Sequence, residues 1–149
     1  MLEREFEILV RLCARDLFPA GWKLVAQQIT LCSGRLDILY RSRDGDLQLI
    51  ELKKGRAPRK TVDQVIGYAE DIKKEYRENE VIPWVVAHEV PDRVVQYATE
   101  RRVSCLAIPM KKCYEVMERN QISSDLLLGA RLQKGVLHGG SDGVRSLVK

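Results

Sequence analysis

The 149-residue chain predicts an α/β fold in which a mixed β-sheet is flanked by helices. Three observations carry this. Residues 34–40 and 49–54 both alternate apolar with polar side chains, and Asp44-Gly45 between them signals an antiparallel hairpin. Residues 81–88, 92–102 and 103–108 then read strand, helix, strand, which calls for a right-handed crossover and a locally parallel pair. Finally, residues 2–17 and 61–76 carry the apolar spacing of helices that pack one face on a sheet.

Each element has its own warrant. In residues 2–17 the stripe is Leu2, Phe6, Leu9, Val10, Cys13 and Leu17, and Pro19-Ala20-Gly21 ends the helix. Residues 22–31 read as a first strand, less cleanly alternating than the next two. Gly34 permits a bend or a close backbone approach at the start of the second. In residues 61–76 the stripe is Val62, Val65, Ile66, Ala69 and Ile72, with Thr61 as the expected N-cap. Gly67 inside that helix costs about 1 kcal/mol relative to alanine, so tight packing on the sheet is expected there. The run Trp84-Val85-Val86-Ala87 calls for a strand buried on both faces, with Trp84 in the core. Residues 103–108 read as another buried strand and residues 111–119 as a last helix.

The hairpin carries the chemistry. A two-residue turn at Asp44-Gly45 would set Asp37 opposite Leu52, with its carboxylate on the wrong face. An odd loop, Arg43 to Gly45 or Asp44 to Asp46, sets Asp37 opposite Glu51 or Lys53. That register also makes the apolar faces coincide, Leu36, Ile38 and Tyr40 with Ile50 and Leu52, so burial and chemistry favour the odd loop. Two adjacent carboxylates repel and resist desolvation unless a cation lies between them. A hard divalent ion, Mg²⁺ or Mn²⁺, accepts oxygen ligands of this kind, contacts a phosphate oxygen and acidifies a bound water. Lys53 would then orient the water or offset charge on the phosphate. A cross-strand salt bridge on a solvated face is the plainer alternative.

Asp37 followed by Glu51-Leu52-Lys53 across a hairpin resembles the PD-(D/E)xK nuclease superfamily. The blocks at residues 34–39, 50–56 and 64–68, with Val85-Val86-Ala87 and Asp92-Arg93, resemble the catalytic domain of NucS/EndoMS-type DNA endonucleases over residues 3–109. The resemblance implies a restriction-endonuclease-like fold and a Mg²⁺- or Mn²⁺-dependent DNA endonuclease. Asp37 and Glu51 would be metal ligands, with the Leu52 carbonyl a further oxygen, and Lys53 would act on the attacking water. An acidic residue of the first helix approaches the metal in that family, and Glu3 matches by position. Glu7, one turn on, is expected on a solvated face among Glu and Arg pairs. The family's Gln-x-x-x-Tyr, here Gln64 and Tyr68, approaches the catalytic strands. Those enzymes carry a further N-terminal DNA-binding and dimerisation domain, and this chain starts almost at the nuclease domain.

The most basic run, residues 53–60, follows directly on the proposed site. A charge run is usually only a solvated loop, but here Lys54, Arg56, Arg59 and Lys60, with Arg35 and Tyr68, are the candidate DNA contacts. A net charge of +4 permits a nucleic-acid partner without demanding one. With 45% hydrophobic and 31% charged residues, the composition is that of an ordinary soluble domain. No apolar run reaches the ~20 residues of a membrane span. Cys13, Cys32, Cys105 and Cys113 have no Cys-x-x-Cys spacing, so reduced thiols in a cytoplasmic protein are expected rather than zinc. Residues 1–128 form the expected nuclease-like domain, and the Gly- and Ser-rich residues 129–149 a flexible tail. Cleavage of a duplex takes two sites, so a homodimer is expected, and targeting is expected to fall to a partner protein. A catalytically inactive nucleic-acid-binding or scaffold subunit of a larger complex is the alternative.

Overall fold

The computed structural model describes residues 1–77 and 79–127. The expected tail lies outside the described residues. The element order is α1 (Glu3–Leu12), α2 (Ala14–Leu17), β1 (Lys23–Leu31), β2 (Gly34–Arg41), β3 (Leu47–Arg56), α3 (Arg59–Glu75), β4 (Val81–Glu89), α4 (Asp92–Glu100), β5 (Ser104–Ala107) and α5 (Met110–Arg119). The strands lie side by side in sequence order in one five-stranded sheet. β1, β2 and β3 are antiparallel, while β3, β4 and β5 are parallel, with α3 and α4 as crossovers. The expected mixed sheet is present.

The sheet separates two cores. Val62, Val65, Tyr68, Ala69 and Ile72 of α3 and Val94 and Ala98 of α4 pack with Leu39, Leu49, Val85 and Ala87 on one face. Phe6, Leu9 and Val10 of α1 and Cys113, Val116 and Met117 of α5 pack with Ile38, Tyr40, Ile50 and Leu52 on the other. β3 and β4, covered on both faces, have the apolar content that position demands.

Several local expectations change. The first helix breaks at Cys13, with no glycine or proline to announce it. The break lets Phe18 stack on Trp22 at 4.9 Å and approach Tyr40 at 5.5 Å, a tertiary demand no local pattern carries. Leu2, assigned to the buried stripe, precedes the helix and is exposed. Thr61 is not the cap of α3: the helix starts at Arg59 after Pro58, and Thr61 is buried in its first turn. Leu36 joins the α3-side core rather than that of Ile38 and Tyr40. β5 is a half-exposed edge strand, because nothing pairs with its outer side among the described residues.

Candidate active site

The β2–β3 ladder pairs Arg41 with Leu47, Tyr40 with Gln48, Leu39 with Leu49 and Ile38 with Ile50. One step further, this register sets Asp37 opposite Glu51. Ser42 donates its N–H to the Asp46 carbonyl at 2.8 Å, which closes a three-residue loop from Arg43 to Gly45. The odd loop is therefore the observed one. Glu51 and Lys53 follow Leu49 along one face of β3, but Leu36 shares the core of Leu39, so alternation does not carry Asp37 onto that face, and its carboxyl opens on a cavity lined by α1.

At Asp37 the two strands part. Its Oδ2 accepts the Leu52 backbone N–H at 2.8 Å, in place of the main-chain bond the ladder would have continued with. The N–H and C=O of one strand residue face the same neighbour, so the Leu52 carbonyl lies on the Asp37 side as well. Glu51 is buried, shares a hydrogen bond with Asp37, and leaves its Oε1 without a hydrogen-bond partner. Burial first, and then the Asp37 charge, push the Glu51 carboxyl well above the usual range, while Lys53 partly opposes this. Burial likewise raises Asp37, against the pull of the Leu52 N–H. Without a cation the pair therefore holds on to a proton.

A cavity of about 340 Å³ opens on Asp37, lined by Glu3, Arg4, Glu7, Gln28, Arg35 and Leu52. Glu51 and Lys53 do not line it; Glu51 reaches Asp37 through the hydrogen bond the two carboxyls share, and Lys53 acts on Glu51. Glu3 accepts the Lys54 backbone N–H at 3.3 Å and remains exposed. Glu7 is not the solvated residue expected of it. It is 5% exposed, takes a hydrogen bond from Arg4 at 3.1 Å and another from the Gln28 amide, and adds more to the Asp37 shift than Glu3 does. The reason is that α1 docks on β3, which turns this face of the helix inward.

The remaining candidates divide. Arg35, Lys54, Arg56, Arg59 and Lys60 are exposed, as DNA contacts must be. Their run is not a loop: β3 extends to Arg56, α3 begins at Arg59, and Gly55 takes φ +69° at a register shift between Lys53 and Arg56. Arg56 pairs with Glu89 at 2.6 Å. Gln64 is exposed on α3 and, like Glu51 and Lys53, does not line the cavity. Tyr68 is 4% exposed, which removes it from any DNA-facing surface. Its ring packs over Gly34, where an added Cβ would lie 3.0 Å from the hydroxyl, and the Glu51 and Asp37 charges reach that hydroxyl. Gly67 packs closely, though on Ser33 in the turn between β1 and β2 rather than on a strand.

Sequence reasoning missed Gln28. It lies across from Asp37 in the β1–β2 register, at φ +50° inside a strand, and holds Glu7. The signal was the pair Gln27-Gln28 in mid-strand. Alternation cannot expose both, and Gln27 is in fact 1% exposed.

These residues fit a hard cation. Glu51 Oε1 is a buried oxygen with no partner, next to a second carboxylate and on the same side as a main-chain carbonyl. Among the described residues no third carboxylate, His or Cys joins the pair closely enough to complete a ligand set, so water or a phosphate oxygen would fill the remaining positions.

A mixed five-stranded sheet with helices on both faces and a carboxylate pair where β2 and β3 part defines a restriction-endonuclease-like fold. The model of the Endonuclease NucS C-terminal domain matches residues 3–126, and the chain belongs to that family. Over 66 residues it is 32% identical to Endonuclease NucS of Methanocaldococcus jannaschii, covering 44% of this chain and 25% of that protein. A repair endonuclease from Pyrococcus abyssi superposes with a TM-score of 0.65 at 23% identity, over 73% of this chain and 47% of that one. EndoMS in complex with double-stranded DNA superposes at 0.64 and 22% identity, over 73% and 46%. The chain thus spans a quarter of the curated relative and somewhat under half of the solved chains.

Proposed function

We propose that this domain is a metal-dependent DNA endonuclease acting in repair, recombination or defence. The observation that carries the reading is the buried, unpartnered Glu51 Oε1 beside Asp37, an arrangement costly to a protein that only binds. Membership of the NucS C-terminal domain family and the EndoMS–DNA complex among its structural neighbours support it. Mg²⁺ or Mn²⁺, when bound, would offset charge on the phosphate and acidify a water.

Asp37, Glu51 and the Leu52 carbonyl would hold that ion. Lys53, half-buried and two residues beyond Glu51 on the same face, would orient the water and stabilise charge developing on the phosphate. Glu7, gripped by Arg4 and Gln28, joins Glu3 as a helix-borne carboxylate that acts on Asp37. Glu3 stays at the rim with the Lys54 backbone. The exposed Arg35, Lys54, Arg56, Arg59 and Lys60 would bind the DNA backbone without reading its bases. A second copy would supply the second site for cleaving both strands, and a partner would direct the domain to its substrate. The reading is of a cytoplasmic protein, and none of the described helices is long and apolar enough to cross a membrane.

The test is incubation with labelled single-stranded, duplex, mismatched and branched DNA in Mg²⁺, Mn²⁺ or EDTA, with Lys53→Ala alongside. Metal-dependent cleavage that is lost in the variant is expected. Intact binding with no cleavage of any substrate would favour the inactive binding module.

A further inference from the structure

A second cavity, of about 480 Å³, lies where β3 and β4 end and α3 and α4 begin. Its walls include Pro58, Pro91 and the Tyr97 ring, and its cations are Arg56, Arg59 and Arg93. We propose that this cavity is a phosphate-binding site for the nucleic-acid strand cut at Asp37, a second anchorage separate from the reacting phosphate. It rests on the endonuclease reading.

Charge is the first argument. Arg56 is already engaged by Glu89, but Arg59 and Arg93 make no ion pair among the described residues and border the same hollow. Tyr97 organises the wall: Arg59 lies over its ring at 4.8 Å and Arg101 at 3.5 Å, while its hydroxyl donates to Asp63 at 2.7 Å. A guanidinium stacked on a ring loses less freedom when it meets a phosphate.

Backbone polarity is the second. α3 and α4 both start at this cavity, each after a proline and each without a side-chain cap. Their first N–H groups and dipoles therefore favour an anion at the same place. The carboxyl ends of parallel strands are where open α/β sheets take ligands, and two crossovers on one face bring both helix starts there.

Position is the third. Arg56 is three residues beyond Lys53 on β3, within about 10 Å along the strand, so one nucleic-acid strand can span both. A strand held at the cavity would pass over Lys54 on its way to Asp37, and the apolar walls suit the sugar between phosphates.

The experiment is binding of a fluorescein-labelled oligonucleotide in EDTA, followed by anisotropy across a salt series, so that no cleavage intervenes. Arg59→Gln/Arg93→Gln is expected to bind about tenfold more weakly, with the salt slope reduced by about 0.7–0.9 for each lost contact. Arg15→Gln/Lys111→Gln, an equal charge change on other exposed positions, is expected to leave the slope unchanged. Equal losses in both pairs, or an unchanged slope in the first, overturn the site. Binding with the expected slope but no cleavage in Mg²⁺ would sink only the catalytic reading. If the wild type binds no DNA, inorganic phosphate is titrated while the amide resonances of Arg59, Lys60, Asp92 and Arg93 are followed. Saturable shifts there support an anion site, and their absence overturns it.

Discussion

Asp37 Oδ2 takes the backbone N–H of Leu52 at 2.8 Å, so a side chain ends the β2–β3 ladder where a main-chain carbonyl would otherwise have continued it. This bond gives Asp37 a structural duty besides its charge. Asp37→Asn retains an acceptor for Leu52 and is expected to keep the fold, with an unchanged or raised Tm in EDTA at pH 8, while cleavage falls by about 10² or more. Asp37→Ala leaves that N–H unsatisfied and is expected to be less stable than Asp37→Asn by about 1–3 kcal/mol. Thermal melts of the two variants together check both statements.

The metal-free protein is expected to lose stability as pH rises. Glu51 and Asp37 both titrate above their ordinary values in the folded chain, so the native state binds more protons than the unfolded one. Their contribution is fully present below the unfolded carboxylate range, near pH 4, and disappears as pH climbs through the raised folded values. Melting in EDTA from pH 5 to 9 is expected to show a falling Tm, and Glu51→Gln should flatten the fall. Mn²⁺ is expected to restore the wild type at high pH and to leave Glu51→Gln unmoved.

Gln28 is expected to matter to activity more than to stability. A non-glycine residue at its φ of +50° costs about 1–2 kcal/mol, which Gln28→Gly would recover. The lost hydrogen bond to Glu7 offsets that by about 1 kcal/mol. Denaturant unfolding should therefore show a near-neutral change, while kcat falls by about 10–100-fold as Glu7 loses its anchor. A stability loss that accounts for all of the activity loss would contradict this.

Gly34 is expected to tolerate no side chain. It has φ +139°, and an added Cβ would meet the Tyr68 hydroxyl at 3.0 Å and its Cε1 at 3.2 Å. Gly34→Ala should cost about 1–3 kcal/mol through strained backbone and a displaced ring. Removing the hydroxyl in the Gly34→Ala/Tyr68→Phe double variant should return part of that, read as a coupling energy in a double-mutant cycle.

Much of the site was legible in the chain because strand alternation and loop parity are local. Asp44-Gly45 limits where the hairpin turns, the apolar sets must coincide, and those two constraints leave Asp37 opposite Glu51 or Lys53, between which the observed ladder takes Glu51. Glu7 was misread for the opposite reason. Its spacing with Arg4 and Arg11 looks like any solvated helix face, and only the docking of α1 against the sheet buries it. Thr61 has a capping residue's chemistry, yet Pro58 sets the start of α3 two residues earlier and the hydroxyl ends up inside.

The sequence by itself determined the order and type of the main elements and the pairing of β2 with β3. Each of these follows from preferences acting over a few residues. Tertiary structure alone decided that Glu7 and Gln28 join Asp37, that Tyr68 is sealed beneath Gly34, and that the starts of α3 and α4 share one arginine-rimmed cavity. It also decided the protonation of the carboxyl pair. Desolvation depends on atoms brought in from distant parts of the chain, which local periodicity does not encode.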